Sequence, residues 1–218
     1  LALPSQRIQN IANSGILNTF KDNNSLAVQM QKAKDRDYQS IFVRLFDEDK
    51  SYSTNEIISK NYLKEVIEAA RFIATTINAK NVVFFYPKNM ILPEEKDLAV
   101  DLFGSISHYF LGVNLDYYPY GTQRNLQNLV AKKLPNVSIT DFFIDASTAY
   151  EVYRTITERI PNIEKIIHIS GDSVYKNKLL KVRIGTPIGN LIAECGGFID
   201  HIEKIIVNGF MNGIAICD

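Results

Sequence analysis

Apolar positions recur along the first 160 residues in two alternating patterns, a spaced one that suits helices and a continuous one that suits buried strands. Ile8, Ile11 and Ala12 stand at helical spacing within 5–13, and Gly15 follows as a stop signal. The polar run Asn18 to Ser25 predicts a loop, and Ser25 is placed to cap a second short helix carrying Leu26, Met30 and Ala33. The β-branched and aromatic run 40–46 predicts a buried strand that ends in the acidic cluster Asp47, Glu48 and Asp49. A long helix follows, capped by Ser53 or Thr54, with Glu56 in its first turn. Its apolar stripe is Tyr62, Val66, Ala69, Ala70, Ile73 and Ile77. Residues 81–86 read as a second buried strand closed by Pro87, which makes a βαβ unit with parallel pairing and a right-handed crossover.

The same alternation continues at lower contrast. It predicts helix over 95–110, strand over 112–118, helix over 122–133, strand over 141–145 and helix over 146–159. Strands and helices in alternation imply an α/β fold, a Rossmann-like, mostly parallel sheet with helices on both faces. After Pro161 the rhythm changes. Residues 164–169 predict a strand, 170–172 a turn and 179–184 a second strand with Leu180, Val182 and Ile184 on one side and Lys181 and Arg183 on the other. A short helix over 187–194, ended by Gly196 and Gly197, and a strand over 204–207 complete the pattern of a small β-grasp module. The expected division is therefore 1–161 and 162–218. The start at Leu1 and the strand-like run 213–217 at the other end read as a piece cut from something longer.

Composition narrows the function classes. Hydrophobic residues make up 46% and charged residues 22%, the balance of a folded globular chain. Lys plus Arg equal Asp plus Glu at 24 each, so no net charge draws the chain to nucleic acid or to anionic lipid. No apolar run reaches the roughly 18–20 residues that span a bilayer, so direct membrane insertion is not expected. Cys195 and Cys217 are too few and too far apart for a disulfide framework, and His108, His168 and His201 are scattered, so no metal site is expected. A reducing, cytoplasmic compartment suits this cysteine usage, and Cys195 reads as a small core residue.

Five motifs in order carry a resemblance to a known family. They are the segments 118–126 (Tyr118, Pro119, Gly121, Gln123, Leu126) and 145–150 (Asp145, Thr148, Tyr150), then 170–174 with 182–188, then Glu194 to Gly197, and last 208–213. Together they resemble RnfC, the peripheral subunit of an ion-pumping electron-transfer complex whose core is similar to the flavoprotein subunit of respiratory complex I. The resemblance implies a nucleotide-binding α/β unit that takes NADH and FMN. It also implies a soluble-ligand-binding β-grasp domain, and iron–sulfur clusters only where a downstream domain supplies their cysteines. Its implied partners are other subunits of a membrane electron-transport complex, and its implied place is cytoplasmic, peripheral at the inner face of the membrane. The implied activity is NADH-dependent electron transfer. The alternative is a non-catalytic relative, a binding or assembly module without flavin, and a β-grasp domain for a small ligand such as a cobalamin is a third reading.

The departures from the family pattern bear on that choice. The family's Gly-Gly-Ala-Gly-Phe-Pro loop corresponds here to 17–25, with no glycine after Gly15, although close approach of a phosphate to backbone calls for residues without a Cβ. Arg44 stands where the family has Asn. Asp47 and Asp49 keep two carboxylates, which either position a ribose or a nicotinamide amide or form a solvated turn before a helix. Gln123 replaces a Glu, and Asp145 replaces an Asn that lies beside the flavin, where an added negative charge opposes a reduced, anionic ring. Thr148 is retained and reads as a helix cap. Gly121 serves either a phosphate approach or a turn. Tyr117, Tyr118 and Tyr120 either stack on an isoalloxazine ring or pack at a strand end. The expected cofactor-binding set is thus Gly15, Arg44, Asp47, Asp49, Gly121, Gln123, Asp145 and Thr148. In the last motif, Asn208, Phe210 and Asn212 replace three of the family's six residues.

Overall fold

The runs that combine β-branched and aromatic residues form a parallel sheet in a computed structural model that describes residues 3–21, 23–93, 104–116, 121–139 and 142–216. The chain divides into two units, Leu1–Glu48 with Asn55–Asn162, and Asp49–Thr54 with Ile163–Asp218. The expected boundary lay near Pro161. Counting the excursion 49–54 with the second unit is a feature that local pattern does not carry.

In the first unit α1 (Pro4–Ser14) leads through a two-residue antiparallel pair, β1 (Leu17–Asn18) with β2 (Asn24–Ser25), into α2 (Leu26–Asp35). That pair lies in the stretch expected to be loop. Ser25 precedes α2 but makes no side-chain cap. The chain continues as β3 (Ser40–Arg44), α3 (Thr54–Asn61), α4 (Leu63–Ile77), β4 (Asn81–Pro87), β5 (Ser107–Val113), α5 (Gln123–Lys133), β6 (Phe142–Asp145) and α6 (Ala146–Ile156). The four longer strands are all parallel, in the order β5-β4-β3-β6.

Two expectations are corrected here. The long helix after the acidic cluster is two helices broken at Tyr62, whose φ of −133° and ψ of 35° leave the helical region. Tyr62 is not part of the buried stripe. It is 37% exposed and stacks on Tyr150 at 4.5 Å. The expected helix over 95–110 gives way to β5 from Ser107, and the expected strand over 112–118 shares only its first two residues with β5. Residues 95–103 and 117–118 lie outside the described residues. A short aromatic run fits either period. Seven consecutive partners on β4, Asn81↔Ser107 through Pro87↔Val113, decide for strand.

Side chains alternate across this sheet. Phe42, Val83, Phe85 and Phe143 share one core with Leu126 and Val130 of α5 and with Phe20, Phe46, Val113 and Val137. Ring contacts of Phe42 with Phe143 (4.7 Å) and Phe85 (5.8 Å) run across it. Ile41, Val43, Val82, Phe84 and Ile144 alternate with these and are equally buried. On that side α4 packs on β3 and β4 and against α1, α2 and α6. Each fully buried side chain of this size contributes about 1.5–3 kcal/mol.

In the second unit β7 (Glu164–Ile169) pairs antiparallel with β8 (Lys178–Arg183), from Glu164↔Arg183 to Ile169↔Lys178. After α7 (Ile188–Glu194), β9 (Ile205–Val207), a single turn α8 (Gly209–Asn212) and β10 (Ile214–Ile216) follow, with β9 and β10 antiparallel. Lys181 and Arg183 face solvent and Leu180 and Val182 are half-buried, while Ile184 lies past the strand and is 59% exposed. Among the described residues of this unit only Asp49, Leu191, Ile192 and Cys195 are buried.

Candidate functional site at the carboxyl edge of the sheet

β3, β4 and β5 run outward in one direction, whereas β6 lies on the opposite side of β3. The connection reverses between β3 and β6, and ligands of open α/β sheets bind outside the strand ends at such a reversal. Arg44 and Asp145, the last residues of the two strands, are paired in register there.

Arg44 is 3% exposed. One terminal nitrogen, Nη1, donates to Glu48 Oε2 at 3.0 Å and to the Gly121 carbonyl at 2.8 Å, while Nη2 donates to the Phe20 carbonyl at 3.4 Å. The guanidinium carbon lies 4.4 Å from the centre of the Phe20 ring, a cation–π distance, and Phe20 in turn packs on Phe143 at 5.0 Å. Nε of Arg44 is buried with no hydrogen-bond partner, a cost of about 1–3 kcal/mol that its other contacts must offset.

Asp145 is 2% exposed and caps α6. It accepts from the Thr148 amide at 2.9 Å and the Thr148 hydroxyl at 2.7 Å, and the Thr19 hydroxyl lies within 2.9 Å of both carboxylate oxygens. Thr148 is therefore the residue capped and not the cap. Its hydroxyl also accepts from the Thr19 amide at 3.0 Å. Asn18 donates to the Phe143 carbonyl at 2.7 Å and receives the Phe20 amide at 3.1 Å. The turn Asn18–Phe20 is thus bonded to the strand end and to α6 through its own backbone and side chains.

Asp47 begins a second chain of contacts. It accepts from the amide and side chain of Asn55 at 3.0 and 2.9 Å and from the Glu56 amide at 3.1 Å, which caps α3 from a distance. The buried Asn55 then accepts from the Ser147 amide at 2.9 Å. Loss of water around Asp47 pushes its carboxyl up to about 7, against the lowering effect of these donors and with a small addition from the Asp145 charge.

The remaining expected residues fall as follows. Gly15 closes α1 in the left-handed region, φ 69°, with its amide on the Ala12 carbonyl at 3.2 Å. Gly121 lets the backbone approach closely, since a Cβ there would stand 3.1 Å from the Phe46 ring and 3.3 Å from the Glu48 backbone. Gln123 opens α5 and is half-buried. Asp49 belongs to the second unit, where it accepts from the Ser51 and Met211 amides, both at 2.8 Å. Its desolvation acts upward, but the amides of Ser51, Met211 and Phe210 and the Ser51 hydroxyl outweigh it, so its carboxyl lies below the usual range. Tyr117, Tyr118 and Tyr120 lie outside the described residues. Sequence reasoning passed over Asn18, Thr19 and Phe20 as surface loop. Their signal was the absence of glycine, which leaves side chains able to fill the edge.

A flavin or a nicotinamide dinucleotide at this edge needs inward-facing amides and an open crevice. Here the Thr19 and Phe20 amides already have acceptors, the Phe20 ring sits beneath Arg44, and the Asp145 carboxylate accepts from Thr148 and lies against the Thr19 hydroxyl. The described residues at this edge do not fit FMN or NADH. Among the described residues no three His, Cys, Asp or Glu side chains could hold a metal ion, and no helix is long and apolar enough to cross a membrane.

The second unit has a separate feature, an apolar groove of about 520 Å³ whose walls include Ile188, Ile192, Phe198, Ile205 and Ile216.

The fold and its reversal point define the class: a Rossmann-like α/β unit of the kind seen in a chain of an NAD+-reducing NiFe hydrogenase. That chain matches with a TM-score of 0.71 at 13% identity, over 94% of this chain and 41% of its own length. No family model matches the sequence. Among curated proteins, the RnfC component of the ion-translocating oxidoreductase complex of Rhodobacter capsulatus is 21% identical over 99% of this chain and 42% of its own length. Its counterpart in the proton-translocating ferredoxin:NAD(+) oxidoreductase complex of Clostridium ljungdahlii is 31% identical over 45% of this chain and 22% of its own length. The chain is a divergent homologue of these RnfC proteins, and it spans about two-fifths of the length of the Rhodobacter protein.

Proposed function

We propose that the chain is an RnfC-type component of a multi-subunit electron-transport complex, serving it as a binding or assembly module without flavin at the α/β edge. The observation that carries this reading is the filled carboxyl edge, with Arg44 over Phe20 and Asp145 on Thr19 and Thr148 where the fold leaves room for a ligand. The similarity to the Rhodobacter RnfC along almost the whole chain supports membership of such a complex. Its place is then peripheral, at the inner face of the membrane and beside the other subunits. The two-stranded pairs and the short helix of the second unit support a β-grasp-type domain as one docking element.

The competing reading, hydride transfer from NADH to FMN and onward to iron–sulfur clusters, requires the same edge to open. Titrating the protein with FMN, followed by NADH without oxygen, separates the two. A flavin spectrum that stays unperturbed and is not bleached is the expected result, together with co-purification of the other subunits. Tight yellow binding bleached by NADH would overturn the proposal.

A further inference from the structure

Three chain segments reach the reversal point from different places: the turn Asn18–Phe20 after α1, the acidic turn after β3, and the turn at Gly121 before α5. A single side chain touches all three. Arg44 donates to the Phe20 carbonyl, to Glu48 and to the Gly121 carbonyl, and its guanidinium covers the Phe20 ring. Nothing in the fold itself demands a cation here, since β3 is otherwise Ser40, Ile41, Phe42 and Val43, all buried.

We infer that Arg44 is a latch, a positioning residue that holds the turn Asn18–Phe20 across the carboxyl edge in the place of a bound ligand. The inference deepens the reading of a flavin-free edge and rests on it. Only a planar fork can meet Glu48, two carbonyls and a ring face together, because a lysine ammonium is a point charge on a flexible stem. The bond from the Thr19 amide to the Thr148 hydroxyl gives the latch a local readout, because it ties the turn to α6 and breaks when the turn lifts.

The test is residue-resolved hydrogen exchange on the full chain with Arg44→Asn and Arg44→Lys. Exchange at the Thr19 amide is expected to rise at least tenfold in both variants, while the amides of β4 and α6 stay within twofold of the unaltered protein. Arg44→Lys keeps the charge beside Glu48, so it reports even where Arg44→Asn fails to fold. Unchanged exchange at Thr19 would overturn the latch, as would an equal rise in β4 and α6, or full protection retained by Arg44→Lys. FMN binding by the unaltered chain is a different result: it would remove the flavin-free reading, and it is recorded without reference to exchange rates.

Discussion

The two units place their polar and apolar groups in opposite ways. In the first, Arg44, Asp145 and Asn55 are buried at the end of a sheet, and with Asp47 they are tied to the chain's own backbone. In the second, few side chains are buried, an apolar groove is present, and Phe210 (73%) and Ile214 (70%) are largely exposed. Among the described residues, the polar side chains where the fold marks a ligand site bond to the chain itself, whereas the second unit keeps apolar surface exposed. An exposed apolar surface of this kind is what docking to another molecule uses.

The contrast repeats on a smaller scale within one turn. Asp47 and Asp49 are two residues apart, yet burial raises one and a set of hydrogen-bond donors lowers the other. The same residue type at the same sequence address thus has two electrostatic roles, because the chain passes from one unit to the other between them.

The comparison is tested hardest at two glycines. Gly213→Ala would drive a Cβ into the Gly209 carbonyl oxygen and within 2.7 Å of Ile206, where backbone cannot yield, so the second unit is expected to lose about 4 kcal/mol. Gly121→Ala meets a ring edge at 3.1 Å and should cost the first unit about 1–2 kcal/mol. Unfolding monitored by hydrogen exchange in each unit reads both, and equal effects would erase the distinction.

A smaller effect is expected from pH, with opposite signs. The folded state holds a proton on Asp47 that the unfolded chain releases near 3.8, so this group weakens the first unit as pH rises from about 4 to about 7. Asp47→Asn should remove this pH dependence. The lowered pKa of Asp49 works the other way. Its stabilisation of the second unit is complete above the usual carboxylate range and is lost as pH falls through the folded value, and Asp49→Asn should abolish that loss. Parallel pH slopes in the two units would contradict both assignments. The smallest change is expected from Asp145→Asn, which keeps an acceptor for the Thr148 amide and gives up one carboxylate oxygen near Thr19. About 1 kcal/mol is expected from denaturant midpoints, and a loss several times larger would mean that the charge itself organises the edge.

Much of the architecture was legible because it rests on short-range pattern. Phe42 and Val83 lie in continuous β-branched and aromatic runs whose length suits a buried strand, and Val66, Ala70 and Ile73 repeat at helical spacing. The break at Tyr62 was not legible, since its ring continues the apolar stripe by spacing alone and finds its partner, Tyr150, far along the chain. The strand at Ser107 was misread for a related reason: its assignment depends on pairing with β4. At the site, the motif order pointed to Arg44, Asp47, Asp145 and Thr148 as a group, but their use was hidden. Asp145 reads as an unwelcome charge beside a flavin until Thr19, more than a hundred residues away, is seen to bond to it.

Periodicity and residue chemistry by themselves determined the α/β class and the change of rhythm near Pro161, while the resemblance to a known family marked 17–25 as a turn without that family's glycines. The tertiary structure alone decided what fills that turn's place. It brought Phe20, Gly121 and Glu48 around one guanidinium, and it assigned two neighbouring aspartates to different units. The physical reason is range. Backbone preference and burial of one face act within a few residues, whereas a buried charge is set by whichever distant donors and acceptors the completed fold delivers to it.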